Sequence, residues 1–337
     1  MEPVSNYVMN SKIKKITVNN LFGYKNISWE LNPDVNVLVG KNGLGKSTLL
    51  RILLAATTHK PFEELELCDS IIVDYDDETS TKATSKDTRD SNSIKLALEE
   101  FINSNDFETQ LEDAIRKSKN KASIKASISN KIKSEIIKSI ENESNIKSIL
   151  KTYQFQSAGK DKKSKTIDVE FISTINMSAN SINKIQTSDG KVSTVLDFEI
   201  KNEIQRLIDF NDNQLIDKLI NVLDIFFAET NKKTLFDKDL YFIEGESENK
   251  LNYKYLSSGE RQIIYIFLKV INASKSNSLI LMDEPEISLH LSWQEILLNH
   301  IRDVNNNSQI IIVTHSPAIV MNGWMNSFVD IKKIICE

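Results

Sequence analysis

Gly40-Lys41-Asn42-Gly43-Leu44-Gly45-Lys46-Ser47-Thr48 follows the apolar run Val35 to Val39 and opens a second, periodic apolar run from Thr48 to Ala56. The pattern G-x-x-x-x-G-K-[ST] between a strand and a helix is a phosphate-binding loop. Successive backbone N–H groups must wrap an anion at a helix N-terminus, and side chains at the glycines would block the close approach. Gly40, Asn42, Gly43, Gly45, Lys46, Ser47 and Thr48 are therefore candidate nucleotide contacts. Lys46 can reach the β- and γ-phosphates, and the Ser47 hydroxyl can take a place on Mg²⁺.

Upstream of the loop, Ile13, Ile16 and Val18, then Ile27, Trp29 and Leu31, alternate around Phe22-Gly23-Tyr24 and predict a hairpin. Downstream, Leu49, Leu50, Ile52, Leu53 and Leu54 would bury the helix against a sheet. A chain of 337 residues can hold one large or two modest domains. No apolar run reaches the ~18 residues that span a bilayer. The first fifteen residues lack an apolar signal core, which predicts a cytoplasmic protein without membrane contact. Cys68 and Cys336 stand far apart and form no metal or disulfide pattern.

The net charge of −5 hides an asymmetry. Residues 62–113 carry 16 acidic and 4 basic side chains, and residues 115–165 carry 14 basic and 4 acidic. The two segments read either as solvated faces or, for the Lys-rich one, as a contact for DNA or an acidic protein. Only Tyr153 and Phe155 are aromatic there, which disfavours stacking on single strands.

Along the chain, Ile71-Ile72-Val73 predicts a strand and the polar stretch Asp77 to Asn92 an exposed loop. Helical periodicity marks 94–115 and 123–150, the latter with Ile124, Ile128, Ile132, Ile136 and Ile140 on one face. Gln156 to Ser164 reads as a polar linker, Thr166 to Ile172 as a strand, and Lys201 to Thr230 as one amphipathic helical stretch. A second hairpin is predicted from Leu240 to Ile243 and Leu251 to Tyr255. The domain expectation is a nucleotide-binding N-terminal lobe, 1–60. A mainly helical insertion with some β, 61–235, follows, and a C-terminal lobe, 236–337, completes the core.

Three further motifs follow. Leu256-Ser257-Ser258-Gly259-Glu260-Arg261-Gln262 precedes an apolar helix, a second anion site or an ordinary N-cap on Ser257 or Ser258. Leu279 to Asp283 is a buried strand ending in Asp283-Glu284. One carboxylate there can hold Mg²⁺ and the next can deprotonate water. Ile310 to Thr314 is another, ending in His315, which can sense a phosphate by hydrogen bonding.

In this order the four motifs resemble the ATP-binding-cassette ATPase fold. The resemblance covers residues 13–57 and 240–325 and implies an α/β architecture, a central mixed sheet with flanking helices interrupted by a helical insertion. It implies ATP and Mg²⁺ as cofactors, Lys46 and Ser47 on phosphate and metal, Asp283 on the metal, Glu284 as catalytic base and His315 as switch. Ser257, Gly259 and Glu260 of the signature would complete a nucleotide held by a second subunit, giving a homodimer or higher homo-oligomer. Ser258 replaces the usual first signature glycine, and His290 stands where transporters commonly carry aspartate. The glutamine loop stays open among Gln154, Gln156 and Gln186, and the adenine-stacking aromatic between Phe22 and Tyr24.

A transporter subunit, an SMC- or RecF-like DNA-maintenance ATPase and a defence ATPase compete. The run Asp283 to His290, the switch Thr314-His315-Ser316-Pro317 and Asn322-Gly323-Trp324 resemble the small ATPases of the Septu, retron and PARIS anti-phage systems. Only 22 residues follow His315, so a separate effector protein, a nuclease or toxin, is the expected partner.

Overall fold

The computed structural model describes residues 11–87, 151–159, 166–173, 184–186, 192–245, 249–276 and 278–336. The helices expected at 94–115 and 123–150, and with them most of the Lys-rich segment, lie outside those residues. The chain divides into two units, Met1–Ala83 with Phe155–Glu337, and Thr84–Gln154. The architecture below is that of the first, with two strands, Ser80–Asp87 and Lys151–Ala158, running across its boundary.

Its centre is a parallel sheet in the order β15 (Phe328–Asp330), β3 (Val35–Val39), β14 (Ile310–Thr314), β13 (Leu279–Asp283), β7 (Val169–Ser173). β13 and β14 are buried along their whole length. A parallel strand covered on both faces has no polar side, so the sequence shows unbroken apolar runs such as Leu279-Ile280-Leu281-Met282. A second sheet runs β16 (Ile335–Cys336), β2 (Lys25–Glu30), β1 (Ile13–Leu21), β4 (Ser70–Tyr75), β5 (Ser80–Asp87), β6 (Lys151–Ala158). The predicted first hairpin is β1–β2, antiparallel, with Ile16 opposite Trp29 and Val18 opposite Ile27. Parallel and antiparallel pairings are thus segregated into separate sheets. Buried Gln309 joins them: its Nε2 donates to the carbonyls of Ile13 and Asn32, each at 2.8 Å, and its Oε1 accepts from Ile13 N at 2.7 Å.

Several expectations need correction. Asp77 to Asn92 is not all loop, because β5 begins at Ser80. Thr81 and Ala83 point inward there and are fully buried, so small side chains carry the alternation where large apolar residues were sought. Gln156 to Ala158, read as linker, closes β6. The single stretch Lys201 to Thr230 is two helices, α2 (Val195–Asp209) and α3 (Asn213–Phe227). Thr194 caps the first by accepting from Asp197 N, and Asp212 caps the second by accepting from Gln214 N; such caps contribute about 1 kcal/mol each. The second hairpin is present, β11 (Leu240–Glu244) pairing antiparallel with β12 (Leu251–Asn252), but Tyr253–Tyr255 turns as a 3-10 helix instead of extending β12, and the unpredicted strand β10 (Lys232–Phe236) pairs with β11 along its length.

Helix α4 (Ser258–Ala273) runs through the core. Ile263, Ile264, Ile266, Phe267 and Leu268 are all fully buried, because the helix packs on α2, α3, β7 and α5 (Leu291–Val304). Phe226 of α3 meets Phe267 at 5.2 Å and Trp293 at 6.0 Å between ring centroids. No described helix is long and apolar enough to cross a membrane.

The two thiols sit in opposite environments. Cys68 is 6% exposed, and burial, then the nearby Asp69 charge, pushes its thiol up to about 12. Cys336 is exposed on β16. Titration of the folded protein at pH 8 with an aromatic disulfide reagent should therefore release one equivalent promptly and the second only in denaturant. Two equivalents released at equal rates would contradict this burial.

Candidate active site

Three loops leave the same edge of neighbouring parallel strands, one after β3, one after β13 and one after β14. Register sets Thr314 beside Val39 and Asp283 beside Val313, so the residues that follow converge at the carboxyl ends of the strands. Open parallel sheets bind their ligands at that edge.

Gly40, Asn42, Gly43 and Gly45 lie in the first loop, and Lys46, Ser47 and Thr48 begin helix α1 (Lys46–Thr58). Gly45 caps that helix at φ 94°, ψ 18°, and a Cβ would fall 2.7 Å from Phe22 Cε2. Conformation and space both demand glycine there. Lys46 is buried, and its Nζ donates to the carbonyls of Gly40 at 2.9 Å and Lys41 at 3.4 Å. The same ammonium lies 3.8 Å from Glu284 Oε1.

Ser47 Oγ donates to Asp283 Oδ1 at 2.7 Å. Burial raises the Asp283 carboxyl above its ordinary range; the Ser47 hydrogen bond opposes this and the Glu284 charge adds to it. Glu284 adopts φ 50°, a left-handed conformation costing a non-glycine residue about 1 kcal/mol or more, and its N–H donates to Val313 O at 2.9 Å. Its Oε2 accepts from His315 Nδ1. A carboxylate accepts, so Nδ1 carries the proton of this pair. Glu284 thus stands between the Lys46 ammonium and the His315 imidazole.

Motif reading passed over Glu286, two residues beyond Glu284. It is 3% exposed, and its Oε1 accepts from the Thr314 hydroxyl and from the N–H groups of His315 and Ser316, each N–H at 3.2 Å. Burial raises its carboxyl too, against the lowering effect of the Thr314 bond. The only signal was the second Glu in Asp283-Glu284-Pro285-Glu286, and its partners lie 28 to 30 residues away.

The signature turn lies at the start of α4. Ser257 Oγ accepts from Glu260 N, while Glu260 Oε2 accepts from Ser257 N at 2.9 Å. This capping box, with Lys232 Nζ 3.0 Å from Glu260 Oε1, turns the Glu260 carboxylate inward. A Cβ on Gly259 would fall 2.6 Å from the Ser288 carbonyl oxygen. The signature turn is therefore pressed against the loop that follows Glu284. Ser288 itself has φ 69°, and the exposed His290 Nδ1 lies 3.0 Å from Ser292 Oγ. Of the two adenine candidates, Phe22 packs on Gly45 while Tyr24 is 72% exposed with Lys25 Nζ 5.0 Å from its ring centroid. Gln154 and Gln156 lie on β6 and Gln186 on β8 (Lys184–Gln186).

Beside the phosphate loop, the Ser47 hydroxyl and Asp283 carboxylate offer the hard oxygen donors that Mg²⁺ takes. Glu284, Glu286 and His315 also offer ligand atoms within 4.8 Å of one another. There, however, Glu286 Oε1 is already committed to three hydrogen bonds.

A model of the family described as AAA domain, putative AbiEii toxin, Type IV TA system, AAA_21, matches residues 35–322. The chain belongs to this AAA family. The chain is also 24% identical over 338 residues to the Septu protein PtuA of Bacillus thuringiensis, covering 94% of this chain and 75% of that one. Its fold is similar to the Smc head in the crystal structure of the SmcHead bound to the C-winged helix domain of ScpA, with a TM-score of 0.50, 10% identity and 92% of each chain covered. The SMC head domain from Thermotoga maritima matches at a TM-score of 0.46 with 10% identity and 92% of each chain. The α/β fold of the chain is similar to that of the Smc head, in keeping with the architecture that the motif order implied.

Proposed function

We propose that this protein binds and hydrolyses ATP with Mg²⁺, that two chains close over two nucleotides, and that nucleotide state controls a separate nuclease or toxin in antiviral defence. One observation carries the enzymatic reading: Lys46, Ser47, Asp283, Glu284 and His315, from three loops far apart in sequence, meet at one sheet edge. Lys46 and the loop N–H groups bind the β- and γ-phosphates. Ser47 and Asp283 would hold Mg²⁺, which supplies charge neutralisation on the phosphate oxygens. Glu284 takes the proton of the attacking water, and His315 orients that carboxylate through Nδ1.

In this reading Ser257 and Gly259 face the nucleotide of a neighbouring chain through the N-terminus of α4, with the N–H groups of the turn as anion donors. The inward Glu260 carboxylate acts there by shaping the turn. The defence role is supported by the similarity to PtuA over nearly the whole chain. The test is phosphate release from ATP by the purified full chain, with and without Mg²⁺, alongside light scattering with and without nucleotide. Mg²⁺-dependent turnover with an ATP-dependent mass increase is expected. ATP binding without turnover would reduce the protein to a nucleotide-gated binding module.

A further inference from the structure

The loop carrying Glu284 and the turn carrying His315 belong to different strands, yet the two side chains are hydrogen-bonded through Glu284 Oε2 and His315 Nδ1. Something must fix their separation, and Glu286 is placed to do it. Its side chain crosses from the β13 loop to the end of β14 and takes three donors on Oε1: the Thr314 hydroxyl, His315 N and Ser316 N. The same oxygen lies 3.4 Å from His315 Nδ1. Glu286 Oε2 is buried and has no hydrogen-bond partner among the described residues. Burying a carboxylate costs several kcal/mol, offset only where charge-assisted bonds satisfy it. A second tie supports the turn, because Ser316 Oγ donates to Gln294 Oε1 at 2.7 Å and Gln294 Nε2 donates to Leu289 O at 3.0 Å.

We propose that Glu286 is a positioning residue: by clamping Thr314, His315 and Ser316 to the acidic loop, it holds the His315 imidazole on Glu284. At 3% exposure it acts through His315 rather than on substrate. The inference rests on the hydrolytic reading above for its kinetic consequence, but not for the geometry of the ring. Two replacements weaken the clamp without changing its shape. Glu286→Gln converts charge-assisted bonds to neutral ones, roughly half as strong, and Thr314→Val removes the hydroxyl donor from the other side.

The kinetic arm is a double-mutant cycle on ATP turnover with His315→Ala. Glu286→Gln alone is expected to lower kcat about tenfold or more with KM for ATP within about threefold, and to cost less than about twofold further once His315 is gone. A residue needed only for folding would cost the same in both backgrounds. The second arm needs no turnover: with ¹⁵N-labelled histidine, the His315 imidazole resonances should move or broaden in Glu286→Gln and in Thr314→Val. Equal kinetic losses in both backgrounds, or imidazole resonances superimposable on wild type in both variants, would overturn the proposal. Wild-type protein without ATPase activity would instead defeat the hydrolytic reading, leaving the resonance measurement to decide the clamp.

Discussion

Glu284→Gln is expected to lower ATP turnover by about 10²- to 10⁴-fold, the range for removing a general base, while nucleotide binding survives. Glutamine keeps the volume of the side chain, so the φ 50° backbone and the Glu284 N–H to Val313 O bond should persist. What disappears is the basic oxygen between Lys46 and His315. Lys46, relieved of an anion 3.8 Å away, is left with the Gly40 and Lys41 carbonyls and remains available to phosphate. Ser47 and Asp283 are untouched. The variant should therefore accumulate with ATP bound, and size-exclusion chromatography in ATP and Mg²⁺ should show a larger, longer-lived assembly than wild type. Turnover within about threefold of wild type would remove Glu284 from the base role.

Lys269→Met should cost about 3–5 kcal/mol of stability, the range for breaking a buried ion pair. Lys269 projects from α4 with its side chain 13% exposed, and its Nζ lies 2.8 Å from Glu170 Oε1 and 2.9 Å from Glu203 Oε1. Arg206 completes the cluster, 2.8 Å from Glu170 Oε2 and 3.6 Å from Glu203 Oε2. Deleting the ammonium leaves two buried carboxylates with one partly exposed guanidinium as their counter-charge, Glu203 keeping only the neutral Asn272 Nδ2 donor at 2.7 Å besides. Urea unfolding should show the loss as a lower midpoint at an unchanged slope. Alkaline pH gives an independent readout. Burial alone would lower the lysine pKa, but Tyr265 and the carboxylates of Glu170 and Glu203 more than reverse this and raise it above the ordinary value. A raised folded-state pKa means that this stabilisation is complete below about pH 10. It declines as pH rises through the folded-state value. The variant should lack that component, and a wild-type-like midpoint at pH 7 would show the cluster to be dispensable.

The parts of the fold legible in sequence are those where one physical signal dominates. The phosphate loop with β3 and α1, and the strands leading to Asp283 and His315, announce themselves because buried parallel strands leave no polar face and their loops carry the chemistry. Elements that depend on tertiary context were obscure. β5 alternates through Thr81 and Ala83 rather than through large side chains, and β10 opens on two lysines, one of which meets Glu260. The break between α2 and α3 was written locally, in Asn211 at φ 49° and the Asp212 cap, yet it falls inside an unbroken amphipathic pattern. At the site, residue types disclosed which groups meet but not how they are held. Glu286 reaches Thr314 across 28 positions, and no window of sequence periodicity spans that distance.

The missing side chain at Gly259 brings the α4 turn against the Ser288 carbonyl so tightly that even a methyl would collide. The two backbones therefore lie in direct contact at this point. In the proposed dimer, a subunit that bears on Ser257 would bear on a turn in contact with the segment that begins at Glu284. On the proposed dimer reading, arrival of a neighbour would bear on the placement of the Glu284 base through this direct backbone contact.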